Sequence, residues 1–120
     1  MKMTTVKICQ LRSDVPNYGD LYTNNLAYLQ RIINFEDVRN IKDFYKVVYK
    51  FEDNFENMSI EDIQDTISNR FTLKELPDDF QGHRLNISDL IIIDNTIYFK
   101  DSYGLQEVGT DDSNYLDIGR

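Results

Sequence analysis

Apolar and polar positions alternate from Thr4 to Leu11, with Val6 and Ile8 on one face and Lys7, Cys9 and Leu11 on the other, which predicts a strand. Gln10 falls on the Val6 face if the alternation runs on. Asp14, Pro16, Asn17 and Gly19 then supply turn chemistry. Asp20 is placed to cap a helix over 21–33, because Leu21, Tyr22, Leu26, Leu29, Ile32 and Ile33 recur at helical spacing. Residues 35–42 are ambiguous between loop and a short second helix. The strongest strand pattern runs from Phe44 to Phe51: Tyr45, Val47, Tyr49 and Phe51 share one face, and Phe44, Lys46, Val48 and Lys50 the other.

A polar loop, Asp53 to Asn57, leads to a well-marked helix start. Ser59 stands at the N-cap and Asp62 at the third helical position, a variant of the capping box, with Met58 and Ile63 placed as a hydrophobic staple. Ile60, Ile63, Ile67 and Phe71 continue at helical spacing, and Glu61 and Asp62 lie where the helix dipole favours anions, so a helix is predicted over 60–70. Residues 76–83 read as a loop. Leu90–Ile93 and Thr96–Phe99 flank Asp94-Asn95 as a hairpin, with Leu105–Val108 as a further short strand. Beyond Gly109 the chain turns polar and acidic, and a loosely held tail is expected over 109–120. The resulting picture is a small single α+β domain spanning 1–120, its core about 4–108. A mainly antiparallel sheet of three to five strands is expected, with two or three helices.

Composition narrows the function classes. The 120 residues suit one domain with its own core, and 8 Tyr and 7 Phe argue for order. The longest apolar run is Leu90–Ile93, so no membrane span is expected. Lys2 is followed by no apolar stretch and Cys9 is the single cysteine, so a cytoplasmic location is expected. The net charge is -8, which argues against direct nucleic-acid binding over a broad face. The charge is also unevenly spread: residues 1–50 hold eight basic and five acidic side chains, a net +3, while 51–120 carry five and 16, a net −11.

Candidate chemistry is thin. Cys9 and His83 are too few for a zinc site, and neither Asp111-Asp112 nor Glu52-Asp53 has EF-hand spacing, so neither metal nor cofactor is expected. Cys9 with His83 is formally a nucleophile and base, but no third orienting residue can be named and there is no Gly-x-Ser-x-Gly elbow. Carboxylate pairs such as Asp78/Asp79 arise by chance among 21 acids, and no catalytic residue is assigned. What stands out is acidity. Glu52, Asp53, Glu56, Glu61, Asp62 and Asp65 follow one another with no basic residue between Lys50 and Arg70, and Asp111, Asp112 and Asp117 form a second group. A solvated helix face accounts for such residues. The functional alternative is a strip that imitates nucleic-acid phosphates and docks in a basic groove.

Leu76-Pro77-Asp78-Asp79-Phe80-Gln81-Gly82-His83-Arg84-Leu85-Asn86-Ile87-Ser88-Asp89 resembles a stretch of the YodL-like domain carried by conjugative and integrative elements of Gram-positive bacteria. So does Tyr98-Phe99-Lys100-Asp101-Ser102-Tyr103-Gly104-Leu105, and Val6–Leu11, Tyr45–Tyr49 and Ser59–Phe71 look like the family's first two strands and its helix. The resemblance covers about residues 4–108. Arg84 stands where the family usually has Ser, Tyr103 where Phe is usual, and Leu105 where an aromatic is typical.

The resemblance implies an accessory protein of mobile DNA. A stand-alone chain of this kind is similar to small anti-CRISPR proteins of such elements, which inhibit type II-A Cas9. The expected partner is then Cas9 or its guide RNA complex, whose nucleic-acid channels are positively charged, reached through the nine acids named above. An antirestriction DNA mimic, a regulatory interaction module of the element, and a hydrolase or nuclease using His83 are the alternatives. Whether the chain forms a homodimer is left open.

Overall fold

The computed structural model describes residues 3–72 and 75–116. Its centre is a five-stranded sheet in the order β2-β1-β3-β4-β5, with every neighbouring pair antiparallel. The strands are β1 (Thr4–Leu11), β2 (Tyr45–Asp53), β3 (Leu90–Ile93), β4 (Thr96–Asp101) and β5 (Gly104–Thr110). The helices are α1 (Tyr18–Leu21), α2 (Leu26–Leu29), α3 (Val38–Phe44) and α4 (Ile60–Thr72).

Both faces of the sheet are covered, which explains the apolar run at Leu90–Ile93: a strand buried on both sides has no polar face to show. Leu90 and Ile92 join Ile97, Phe99, Cys9 and Leu11 in a core under α1–α3. Ile91 and Ile93 join Val6, Ile8 and Tyr98 in a second core under α4, against Ile63, Ile67 and Phe71. The Asp94-Asn95 turn forms as expected, and Asp94 also fixes the adjoining strand: its Oδ1 accepts from Thr5 N at 3.1 Å.

Four expectations are corrected. The helix expected over 21–33 is two short helices, broken where Thr23 takes a left-handed φ of 65° and Asn25 caps α2 by accepting from Tyr28 N. Asp20 lies inside α1, not at its cap. The periodicity nonetheless selected the right core, since Leu21, Leu26, Leu29 and Ile33 are all buried. The ambiguous segment before β2 holds α3, whose Asp37 side chain accepts from Arg39 N, and Phe44 ends that helix instead of opening the strand.

The third correction concerns β2. The pairing with β1 steps from Ile8↔Tyr49 to Cys9↔Val47, so Val48 is an inserted bulge residue. The extra residue reverses the alternation. Tyr45 and Val47 pack under α1–α3, whereas Val48, Tyr49 and Phe51 pack on the α4 side, so the four expected to share one face do not. Phe71 of α4 then sits 5.8 Å from the Tyr49 ring and 5.6 Å from the Phe51 ring.

Fourth, residues 109–116 are not a loose tail. β5 runs to Thr110, and the buried Asp111 carboxylate accepts from Tyr115 N at 2.8 Å and Leu116 N at 2.7 Å. Leu116 is thereby folded into the core under α1–α3.

Candidate partner interface

The acidic stretch begins at the end of β2, an edge strand. Glu52 is exposed and accepts from Thr5 Oγ1 at 3.4 Å. Asp53 is half-buried and its charge is partly met by Arg70 of α4, at 3.3 Å. Phe55 turns into the core and pins the following loop, leaving Glu56 exposed. Ser59 Oγ then accepts from Asp62 N at 3.1 Å, capping α4 as its sequence implies. Because Ile63, Ile67 and Phe71 take the sheet-facing stripe, Glu61, Asp62 and Asp65 are left in solvent, with Glu61 and Asp65 one turn apart on the same face. The exposed apolar side chains Met58 and Ile60 stand among them.

The second acidic group is different. Asp111 is 2% exposed and occupied by the turn that it caps, so its carboxylate is unavailable to a partner. Asp112 is exposed, and Asp117 lies outside the described residues. The fold adds one acid that the sequence reading missed. Glu107 of β5 is paired across the ladder with Tyr98, and the Tyr98 hydroxyl is pushed up first by burial and then by Glu107 and Glu61, with Gln64 of α4 hydrogen-bonded to it. A carboxylate of β5 and one of α4 therefore flank the same tyrosine. No local sequence pattern joins positions 61 and 107; only the packing of α4 on the sheet does.

The motif loop is anchored by a buried polar network. Gln10, 2% exposed, receives His83 N on its Oε1 at 3.1 Å and donates its Nε2 to His83 O at 2.7 Å and to Asp89 Oδ2 at 3.1 Å. Gly82 is required beside it, since a Cβ there would lie 2.0 Å from Gln10 Oε1. Gln81 N donates to the bulge carbonyl of Val48 at 2.9 Å. Arg84, the departure from the family's usual Ser, donates to Thr72 O at 3.3 Å, where the open carbonyls at the end of α4 attract a cation.

The candidate nucleophile and base are both occupied structurally. Burial pushes the Cys9 thiol up to about 12, far from a reactive thiolate. His83 Nδ1 lies 2.8 Å from Arg84 O, so that nitrogen carries the proton, and the ring packs edge-on against Tyr22 at 5.2 Å.

Comparison with known proteins adds one decisive observation: the model of the YodL-like domain matches residues 5–110. The chain belongs to the YodL-like domain family. The match takes in all five strands and all four helices described above. It also gives the Gln10–His83–Asp89 network a place within the YodL-like domain, joining its first strand to its motif loop. No curated protein and no solved structure matches the chain.

Proposed function

We propose that the chain is a non-enzymatic, cytoplasmic inhibitor of type II-A Cas9. It binds the nuclease through the acidic stretch and blocks guide RNA loading or target DNA binding. The observation that carries the proposal is the run of exposed carboxylates Glu52, Glu56, Glu61, Asp62 and Asp65, from the end of β2 through the first turns of α4. Such a run suits a channel built for nucleic-acid backbone, because its Lys and Arg side chains gain charge partners without any base being read. Asp112 and the partly neutralised Asp53 contribute at the margin, and Asp117 stays with this group as a proposed contact. The YodL-like assignment supports the setting, a mobile element that must survive host defence.

The test is co-purification with type II-A Cas9 orthologues, with and without guide RNA, followed by a cleavage assay. Guide-free Cas9 is expected to bind and to lose cleavage, with preloaded guide protecting it. Combining Glu61→Lys, Asp62→Lys and Asp65→Lys is expected to weaken inhibition about tenfold or more. Unchanged inhibition by that variant, or no binding across several orthologues, overturns the proposal. Protection of DNA from a restriction enzyme without any Cas protein would then favour the antirestriction alternative.

A further inference from the structure

The sheet has two edges, and they are treated differently. The β2 edge is bulged at Val48 and covered by the motif loop, through Gln81 N on Val48 O at 2.9 Å and Phe80 packed 5.4 Å from the Tyr49 ring. Among the described residues, the Gly104–Glu107 part of the β5 edge has no such cover. Its hydrogen-bonding direction follows from its neighbour. Lys100 of β4 donates its N–H to Asp89 O at 2.8 Å and receives Ser88 N on its carbonyl at 3.0 Å, so both groups point away from β5. The flanking residues Phe99 and Asp101 must then point theirs toward β5, where they meet Gln106 and Gly104. Leu105 and Glu107 therefore present their N–H and C=O groups outward, and among the described residues nothing bonds to them there. Farther along, the strand is bulged at Val108, and the carbonyl of Phe35 stands 3.0 Å from where a Cβ of Gly109 would be. The open part is Gly104–Glu107.

We propose that this open edge receives an extended segment of a partner protein, added to the sheet as a sixth strand, with a lysine or arginine side chain facing Glu107 and Glu61. The charge at the edge selects this occupant. A second copy of the chain would bring another molecule of net charge -8, with its own Glu107, to a seam that already carries Glu107 and Glu61, and like charges brought together across a seam repel. A basic segment reverses the sign of that term. Register follows as well. Lys100 is the strand partner of Leu105, with its ammonium 3.3 Å from Asp101 O, so the incoming cation belongs at the Glu107 end and a neutral side chain opposite Leu105. On the other face, alternate side chains of the incoming strand meet a cleft of about 320 Å³ between α2 and the edge, lined by Ala27, Gln30, Tyr103 and Gln106. That cleft suits short polar side chains. Main-chain bonds supply attachment in this mode of recognition, and the alternating side chains supply choice.

The proposal is independent of which protein supplies the strand, so the probe is a capped octapeptide of threonine with lysine at every fourth position, which sets lysine opposite Glu107 and threonine opposite Leu105, followed by amide NMR of the full chain. The Leu105 and Glu107 amide signals are expected to shift, and their hydrogen exchange to slow about threefold or more at saturation. The same peptide N-methylated at every residue, or with glutamate in place of lysine, is expected to do neither. Glu107→Lys, a surface change that leaves the ladder intact, is expected to weaken the lysine peptide about threefold. Three results overturn the proposal: shifts confined to α4 with the β5 amides unmoved, equal effects from the N-methylated peptide, or β5 protection that tracks protein concentration without peptide.

Discussion

Asp89 differs from the other buried carboxylates, Asp101 and Asp111, in leaving one oxygen, Oδ1, without a partner among the described residues. Its other oxygen accepts from Gln10 Nε2 and from Asn86 N at 2.9 Å. Burial dominates and pushes its pKa up to about 8, against the lowering effect of those bonds and of Lys100. The folded protein therefore holds a proton on Asp89 that the unfolded chain releases near 3.8, and this contribution to stability is lost as pH rises from about 4 through about 8. Asp89→Asn keeps the shape and removes the titration. Its melting temperature, compared with that of the parent over this window, is expected to lack the component that falls with rising pH. Identical slopes in the two proteins would mean that the carboxylate is already ionised when folded. Little of this was legible in the sequence. Gln10 continued an alternating strand and Asp89 ended a motif, but their meeting depends on β1 lying beside β3.

At the scale of elements, α4 is the clearest case of sequence dictating structure, and its two ends carry unequal weight. Ser59 closes one exposed N–H, so Ser59→Ala is expected to cost about 1 kcal/mol. Phe71 is 1% exposed and stacks on Phe80 as well as meeting Tyr49 and Phe51, so Phe71→Ala is expected to cost about 3–5 kcal/mol. Denaturant melts of both variants check the ranking. Inserting one residue after Val48 tests the register: with Val48 still the unpaired residue, Tyr49 and Phe51 would move one position along and turn to the face of Tyr45, stranding two aromatics away from α4. Loss of the cooperative unfolding transition is the expected result. The bulge had a readable trace, since Val47-Val48 places two apolar side chains where alternation allows one. The break between α1 and α2 had another, in the cap-forming run Thr23-Asn24-Asn25. Helical spacing concealed it because both short helices face the same core.

For the whole molecule, charge is the property with the longest reach. The acids between Glu52 and Asp65 were readable as a surface because the apolar stripe of α4 defines its opposite side. Asp111 was not, since its role as a turn cap appears only once Tyr115 and Leu116 fold back onto it. Glu107 required the sheet itself. If opposite charge steers the chain to Cas9, the association rate is expected to fall about tenfold or more between about 0.05 and 0.5 M salt, with a smaller change in dissociation. Stopped-flow or surface-binding kinetics would show it, and a salt-independent association rate would point to an apolar contact instead.

The centre of the sheet joins the beginning of the chain to its last third, with Val6 opposite Ile93 and Cys9 opposite Leu90. Even the β1–β2 pair must enclose α1, α2 and α3 before it closes. During synthesis the first strand therefore emerges long before its inner neighbour exists, and closing so wide a loop is slow as well as entropically costly. A ribosome that stalls before residue 90 would carry a chain whose strand Thr4–Leu11 has an unfilled side. Val6 and Ile8 would then be exposed to whatever edge is nearby, so the nascent chain is where this fold is most open to chaperones and to mispairing.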